Sequence, residues 1–508
     1  MRQANSAARS WLFLPLAAAL VVIGVKCWMI GRFGNPTPFW DQWDAEGAFL
    51  YPKYLGGTLS LGDLLAAHNE HRILFTRLWS LLLLVLEGYW DPIVQMLANT
   101  LLSGAIAALF ITAFRALMPR TAWIGFALFA TLTFALPWTW GTTLEGFNSQ
   151  WYFMLLFGIA GMMAICGAPA FAPRWWAAVL LLLADYFSMA GGVSTTAAAF
   201  SLCAVQAAAG SRRGVKELSA LGVLAALAAA MILSIPMLAR HAPLKAHSVG
   251  QFFQALVEIM SWPAATGVTF LATLVVLAAV TQAPAWLTSV GVIRARPAQA
   301  DRRWFLVAMT FWTVWQISAV AYGRGVASIT ARYLDLYSVG LLVNAACLFY
   351  LVSTHPVFQR QRRLAIVALA LWLLPVSVGI TLTAVKHTTR DLVEKRDIGR
   401  AETENLRAFL ASGDVRALED KPDLQIPYPD PHRLADIASQ PAIRAILPPV
   451  LVGEESAKRA QAHGIARYTG GAVEAIKDIA SRWGFLLIPL GLALFLVGIK
   501  RQRDAKTA

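Results

Sequence analysis

The chain has 508 residues, of which 57% are hydrophobic and 14% charged, and its formal net charge is +14. Ordinary soluble domains are about 45–50% apolar and about 25% charged, so this composition excludes a soluble globular enzyme. Long apolar stretches separated by short polar joints recur along the chain, and this pattern predicts an all-α polytopic membrane protein.

The first predicted element is an uncleaved membrane span at residues 11–30. Two arginines precede the apolar run Trp11–Val25, as in a signal peptide. Lys26 and Cys27 follow where cleavage requires small residues, so the segment is predicted to stay attached. The four cysteines of the chain all lie in or beside apolar segments, and they predict no disulfide framework.

Residues 31–92 form the next predicted element, an acidic external loop. It contains the apolar stretch Ile73–Leu86, which has only 14 residues and is interrupted by Arg77. Because about 20 apolar residues are needed to cross a bilayer, this stretch is predicted to lie at the outer membrane interface. Counting it as a span would place every later loop on the opposite side of the membrane.

About twelve transmembrane helices are predicted in total. Pro284 leaves one boundary open, since the run through Gln282–Val292 is either part of one long span or a surface helix after a shorter span. After the first span, the others fall near residues 93–114, 121–137, 151–167, 175–190, 193–209, 218–238, 264–284, 304–321, 334–353, 364–384 and 483–499.

The basic residues of the joints predict the orientation of the spans. With both termini in the cytoplasm, the cytoplasmic segments collect 19 Lys and Arg residues against three acids. An excess of Lys and Arg marks the cytoplasmic side of a membrane protein, so topology accounts for the net charge, and no nucleic acid is expected as a partner. The predicted location is a bacterial-type cytoplasmic (inner) membrane, with the active site on its outer face.

This pattern divides the chain into three parts. Residues 1–384 form a multi-span membrane domain that includes the acidic loop 31–92, and residues 483–508 form the last span and a basic cytoplasmic tail. Residues 385–482 are hydrophilic, with 14 Lys and Arg nearly balanced by 15 Asp and Glu between residues 387 and 482. A segment of this size buries only a modest core, so a small extracytoplasmic C-terminal domain that packs on the membrane domain is predicted.

The densest polar motif lies in the acidic loop. Asp41 and Asp44 are three residues apart, which places them on one face of a helix, and Glu46 follows. Trp40 and Trp43 suit a membrane interface, where a lowered dielectric can raise the pKa of a carboxyl group toward that of a useful base. The alternative interpretation is a solvated loop with aromatic anchors.

A second motif contains His68, Glu70 and His71 just before the interface stretch. Two histidines at this spacing can share a helix face and contact substrate. A metal site would need at least a third ligand from elsewhere, for which Asp44 is the candidate. Helix capping and surface ion pairs are the remaining alternative.

The external loop Trp138–Gln150 combines one acid, Glu145, with amides and aromatic residues. Sugar hydroxyls bind carboxylate and amide partners such as Glu145 and Gln150, and apolar sugar faces pack on Trp. The loop therefore predicts a sugar-binding surface. The alternative is an interfacial turn anchored by its tryptophans.

Two arginines, Arg324 and Arg332, flank a short external loop of small residues. A planar guanidinium binds phosphate or pyrophosphate oxygens through two parallel hydrogen bonds. The pair therefore predicts a phosphate site. The alternative is that both side chains extend toward lipid headgroups without a catalytic purpose.

Residues 11–165 resemble the GT-C superfamily of integral membrane glycosyltransferases, which includes oligosaccharyltransferase catalytic subunits and protein mannosyltransferases. The resemblance rests on a first span, the acidic segment Asp41–Glu46, an interface helix at Arg72–Leu86 and Glu145 after two further spans. It implies a GT-C-like fold and inverting sugar transfer from a polyprenyl-phosphate or polyprenyl-diphosphate donor, with an aspartate of the first loop as base. Asp44 is the preferred match for that base, and Asp41 is the second.

The predicted function is a membrane glycosyltransferase whose partners are a lipid-linked sugar donor, a glycan or lipid acceptor and membrane lipids. One alternative is a polysaccharide polymerase or ligase that acts on lipid-linked glycans. The other is a lipid-linked glycan flippase or transporter, a class that places ionisable residues or broken helices near the bilayer midplane. No cofactor is assigned, and the need for a divalent metal is left open.

Overall fold

The fold comes from a computed structural model that describes residues 10–325, 328–422 and 424–504. Helices make up nearly all of its regular structure, together with one two-stranded hairpin, β1 (Ala67–His68) and β2 (His71–Arg72). The sixteen longest helices in the described part are α1 (Phe13–Phe33), α2 (Leu74–Glu87), α3 (Pro92–Phe114), α4 (Arg120–Ala135), α5 (Ser149–Ile165), α6 (Pro173–Tyr186), α7 (Gly192–Ala208), α8 (Val215–Leu233), α9 (Val249–Ser261), α10 (Leu271–Ala295), α11 (Trp304–Gly323), α12 (Leu334–Thr354), α13 (Arg362–Leu382), α14 (Thr389–Ser412), α15 (Ala466–Trp483) and α16 (Leu487–Asp504). Shorter helices lie at Tyr51–Leu55, Leu61–Leu65, Trp140–Thr143, Pro356–Arg360, Pro431–Ser439, Pro441–Arg444, Pro449–Val452 and Glu454–Gln461, and π-helical segments lie at Trp43–Leu50 and Thr383–Thr388.

Nine helices in the described part of the chain are long and apolar enough to cross a membrane. The chain is therefore an all-α polytopic membrane protein, as its composition predicts. The other three predicted spans, near residues 151–167, 175–190 and 193–209, coincide with α5, α6 and α7, which have 17, 14 and 17 residues. Each is shorter than the 18 residues of a candidate span. All three contribute residues to the main apolar core.

The sequence left open whether a span ends at Pro284. In the structure, Pro284 lies inside a single continuous helix, α10. Proline disturbs a helix because its ring displaces the preceding turn and it donates no backbone hydrogen bond. Here the N–H of Ala285 donates to Oδ1 of Asn344, 3.2 Å away on α12, and Nδ2 of Asn344 donates to Oε1 of Gln282 at 2.9 Å. The Asn344 amide therefore supplies partners to the disturbed turn.

The stretch at Ile73–Leu86 forms α2, a 14-residue helix that does not reach spanning length. Gly88 ends it in a left-handed conformation, φ 94°, which glycine adopts without a steric penalty. The next helix begins at once because Oδ1 of Asp91 accepts from the N–H of Ile93 at 2.7 Å, with Pro92 at the first helical position. These caps separate α2 from α3.

The joints between helices fall into two groups at opposite ends of the bundle. At the first, called the cap end, the N–H of Leu74 donates to the carbonyl of Phe187 at 2.9 Å, and the N–H of Ala246 donates to that of Tyr322 at 2.8 Å. At the second, called the basic end, Nε2 of Gln299 donates to the carbonyl of Ala168 at 2.9 Å. The arginine-rich joints meet at the basic end.

The hydrophilic segment 385–482 packs on the acidic loop at the cap end. Its side chains share one apolar cluster with Trp43 and Trp90, to which it contributes Leu406, Leu434 and Ile437. Backbone hydrogen bonds of 2.7 and 2.8 Å also join the two segments, from Trp90 and Trp40 respectively. The segment therefore covers the surface from which the predicted catalytic residues come.

Candidate functional site

A cavity of about 810 Å³ lies at the cap end, where several predicted site residues meet. One part of its wall is aromatic and aliphatic, and another part is charged. The apolar part includes Trp138, Trp140, Trp262, Val268 and Leu274. The charged part includes Glu145, Glu258, Arg324, Arg332 and Asp391. Such a cavity can accept a molecule with an apolar portion and a polar portion that offers groups to both carboxylates and guanidinium groups.

The two predicted phosphate-binding arginines both line this cavity. Nη2 of Arg332 is 3.5 Å from Oε2 of Glu145, and the Arg332 side chain is still 41% exposed. Nε of Arg324 donates to the hydroxyl of Tyr333 at 3.1 Å. Nδ2 of Asn148 donates to Oε2 of Glu145 at 2.7 Å, which orients that carboxylate. The structure thus brings Glu145 and both arginines to one cavity wall.

Asp41 lies near this wall and remains accessible, with its side chain 38% exposed. Its Oδ1 is 3.8 Å from Nε2 of His68. Burial acts to raise the pKa of Asp41, but the contact with His68 and the positive charge of Arg332 outweigh it, so the pKa lies below its usual value. Asp41 is therefore an ionised carboxylate at neutral pH, and its pKa is lowered rather than raised as its aromatic surroundings predicted.

His68 and His71 lie on a hairpin rather than on the helix face that their spacing suggests. They are cross-strand partners in the β1–β2 pair. Asn69 occupies the turn with φ 51°, a left-handed conformation that Asn tolerates better than most residues. The hairpin still places the two rings side by side, because paired residues on neighbouring strands are adjacent.

His71 is partly buried, and its Nδ1 accepts from the N–H of Ala190 at 3.4 Å. Burial lowers the pKa of His71 to about 4, against the attraction of Glu70 for the charged form. At neutral pH, His71 is therefore an uncharged acceptor that joins the β1–β2 hairpin to the turn between α6 and α7. Glu70 itself is paired with His241 on the neighbouring joint.

Stability is expected to depend on pH through His71. Its pKa is about 4 in the folded protein and 6.5 ordinarily, so between these values the unfolded chain binds a proton that the folded chain does not. The free energy of unfolding should therefore fall as pH decreases from 6.5 toward 4. Thermal unfolding in detergent at several pH values measures this slope. His71→Gln should flatten it, while the exposed His247→Gln should not, and equal slopes in the two variants would contradict the assignment.

Asp44 and Asp41 have different partners, although their spacing predicts a shared helix face. Oδ2 of Asp44 accepts from the hydroxyl of Tyr428 at 2.8 Å, and its Oδ1 accepts from Nε of Arg433 at 2.9 Å. Residues Trp43–Leu50 are π-helical, and the wider turn of that helix breaks the three-residue periodicity. Asp44 therefore ties the acidic loop to segment 385–482.

Glu46 is fully buried in a network of neutral donors. Its carboxylate accepts from Nε1 of Trp90 at 2.9 Å, from Nε2 of Gln95 at 3.0 Å and from the hydroxyl of Ser80. Burial raises the pKa of Glu46, although these hydrogen bonds favour the charged form. Its position predicts an anchor between the acidic loop and helices α2 and α3.

Gln150 is likewise buried, in the first turn of α5, and its Oε1 has no hydrogen-bond partner in the described structure.

The sequence reasoning missed a polar network inside the membrane domain. Nζ of Lys26 on α1 donates to Oγ1 of Thr143 at 2.8 Å and to Oγ1 of Thr139 at 3.1 Å. Asp335 on α12 acts on the same ammonium electrostatically, and it accepts a hydrogen bond from Thr142. The network thus holds the turn before Glu145 against the helix that follows Arg332. A lysine inside an apolar span was the available signal, because such residues are rare and costly.

Residues of α14 that line or border the site were also missed. Asp391 lines the cavity, and Lys395 lies one turn further along. Glu402 is buried, with its Oε2 accepting from Nδ2 of Asn35 at 2.7 Å and its Oε1 3.9 Å from Nζ of Lys395. Spacings of four and seven residues place these three charged side chains on one helix face, and that periodicity could have identified them.

The part of the chain that the structure describes contains no group of three or more His, Cys, Asp or Glu side chains suited to hold a metal ion. Asp44, the predicted third ligand to His68 and His71, is bonded to Arg433 instead. Comparison of the chain with protein-family models, curated proteins and solved structures found no match. The geometry of the site is therefore the basis for a functional proposal.

Proposed function

We propose that this protein is a membrane glycosyltransferase that moves a sugar from a polyprenyl-phosphate-linked donor to a glycan or lipid acceptor. The observation that carries the proposal is the accessible Asp41 carboxylate, which feels the charge of Arg332, near a cavity with an apolar wall and a charged wall that contains two arginines. The resemblance of residues 11–165 to the GT-C superfamily supports the same reaction. We also propose that the chain has a GT-C-like fold with about twelve spans.

The cavity matches each part of such a donor. The guanidinium groups of Arg324 and Arg332 suit the phosphate, because each presents several N–H donors in a fixed plane. The apolar wall suits the first isoprene units. Trp140 and Glu145 suit the sugar, whose apolar face packs on an aromatic ring and whose hydroxyls donate to a carboxylate.

In the proposed reaction, Asp41 takes the proton of an acceptor hydroxyl. The acceptor oxygen forms a bond to the anomeric carbon as the bond from that carbon to the phosphate oxygen breaks. Negative charge grows on the leaving phosphate, where Arg324 and Arg332 stabilise it. Asp41 is favoured over Asp44 as the base because both oxygens of Asp44 are already bonded to Tyr428 and Arg433.

The site is proposed to face the outer side of a bacterial-type cytoplasmic membrane. It lies at the cap end, opposite the arginine-rich joints, which by the positive-inside rule face the cytoplasm. Reporters fused after residues 118, 214, 299 and 358 should then report cytoplasm, and those after 60, 145, 328 and 430 the outside.

The direct test uses purified full-length protein in lipid with a panel of polyprenyl-phosphate sugars, with transfer to acceptor followed by mass spectrometry. Transfer of single sugars supports the proposal. Product formed only from preassembled lipid-linked oligosaccharides would indicate a polymerase or ligase, and movement of lipid between leaflets without transfer would indicate a flippase.

Arg332→Lys is expected to raise the KM for the lipid-linked donor about tenfold, the cost of roughly one hydrogen bond to a charged group. The substitution keeps the charge and removes the planar fork. Arg416→Lys is the matched control, since Arg416 forms a forked pair with Asp414 away from the cavity. An unchanged KM in Arg332→Lys would reduce Arg332 to a lipid-facing anchor.

A transporter is the second candidate function because of Asp185. This carboxyl group is fully buried near the end of α6 and forms no ion pair in the described structure. An isolated ionisable residue within a membrane domain is typical of ion-coupled transport. Asp185→Asn should leave sugar transfer intact if the protein is a glycosyltransferase, and it should abolish movement of the cargo if the protein is a transporter.

A further inference from the structure

A second cavity, of about 740 Å³, lies toward the basic end, between α10, α12 and α13. Most of its lining is apolar and comes from the facing sides of these three helices. The apolar residues include Val280, Leu287, Val292, Leu348, Leu351 and Leu371. The first cavity shares none of these residues, so the two cavities are separate.

The apolar part of this cavity borders the outer surface of the helix bundle. Leu287 on α10 and Leu371 on α13 both line it, and they are 64% and 66% exposed. In a membrane protein, exposed leucines of this kind on spanning helices face the hydrocarbon of the bilayer. The cavity is therefore open toward the bilayer, and an acyl chain that lies in the membrane can reach it.

One end of the cavity is polar and cationic. Arg303, Tyr350 and His355 lie there, close to the joints at residues 294–303 and 355–363. Asp301 occupies Nε and Nη2 of the Arg303 guanidinium, and the side chain remains 40% exposed. The guanidinium therefore still has donors for a second anion.

The surrounding charge favours an anionic occupant. The two joints together carry seven arginines and one acid, Asp301. Basic pockets between membrane helices attract the headgroups of anionic lipids, at about 1 kcal/mol for each Lys or Arg near the surface. A free phosphate ion would use this end of the cavity and leave the apolar part empty.

We infer that this second cavity binds an anionic phospholipid of the bilayer. The headgroup phosphate lies among Arg303, Tyr350 and His355, and an acyl chain lies along Leu287 and Leu371. This inference needs only the membrane character of the protein and does not rest on the proposed glycosyltransferase activity.

The first test compares phosphatidylglycerol with phosphatidylcholine on delipidated full-length protein, by native mass spectrometry across a lipid titration. Wild-type protein should bind phosphatidylglycerol more tightly. Arg303→Gln should weaken that binding about fivefold and leave phosphatidylcholine binding unchanged. Arg302→Gln is the matched control, because Arg302 is the adjacent, exposed arginine and does not line the cavity. Equal binding of both lipids by wild type, or an equal loss in both variants, would overturn the inference.

A second pair of variants tests the apolar part of the site. Gly291 lines the cavity, and a Cβ atom added to it would meet nothing within 4 Å, so the backbone there tolerates a side chain and Gly291→Leu should occupy part of the cavity. Gly222 on α8 has the same open surroundings and lies outside the cavity lining. Gly291→Leu should abolish tight binding of phosphatidylglycerol, whereas Gly222→Leu should retain it. Retention by both variants would show that the lipid binds elsewhere.

Discussion

Asp41→Asn is expected to slow sugar transfer by roughly 10²–10⁴-fold, the usual contribution of a general base. The amide keeps the size of the carboxyl group and cannot accept the acceptor proton. Donor binding should survive, because Arg324 and Arg332 are unchanged. Single-turnover transfer with a saturating polyprenyl-phosphate sugar measures the effect, and the KM for the donor measures binding separately.

Two further Asp→Asn variants make this result specific. Asp414 is paired with Arg416 away from the cavity, so Asp414→Asn should transfer sugar at the wild-type rate. Asp44→Asn loses the ion pair with Arg433 and one of its two acceptor oxygens, and it should slow transfer much less than Asp41→Asn. The opposite order would identify Asp44 as the base, and full activity in both would show that the acidic loop does not carry the chemistry.

Lys26→Met is expected to destabilise the protein by roughly 1.5–3 kcal/mol, the usual contribution of hydrogen bonds to a charged group. The substitution leaves Asp335 without the ammonium and leaves the hydroxyls of Thr139 and Thr143 without their shared donor. Equilibrium unfolding of the purified protein in mixed micelles measures the change.

The control for this prediction is Lys458→Met. Lys458 is exposed and pairs with Glu455 three residues earlier, a contact worth about 0–1 kcal/mol. The double variant Lys26→Met with Asp335→Asn should lower the free energy of unfolding by less than the sum of the two single variants. The second change removes the carboxyl group that would otherwise be left without its ammonium partner. Additive costs would show that the two residues do not interact.

The membrane-spanning helices could be predicted from the chain because length and hydropathy are local properties. Nine of the predicted spans are apolar helices of spanning length, and α2 is too short to span, as its 14 residues suggest. Helix α6 is shorter than its predicted span, and α5 and α7 are each shifted by one or two residues, because hydropathy does not show where a helix ends inside a packed bundle.

Part of the candidate site could also be anticipated from residue chemistry. Glu145, Arg324 and Arg332 were chosen as hydrogen-bonding or phosphate-binding side chains in short loops, and all three line the same cavity. Spacing in the sequence could not predict that these residues meet, since nearly 180 residues separate the loop with Glu145 from the loop with Arg324. Whether they meet depends on how the helices pack at the cap end.

The choice between Asp41 and Asp44 required long-range contacts. The two residues are chemically identical and three positions apart, so local sequence cannot distinguish them. Arg433, nearly 400 residues away, binds Asp44, while His68 and the charge of Arg332 act on Asp41. Composition and hydrophobic periodicity thus define which segments enter the membrane, because those depend on neighbouring residues. The role of each charged side chain depends on which distant charge packing brings beside it, because electrostatic and hydrogen-bond energies fall steeply with distance.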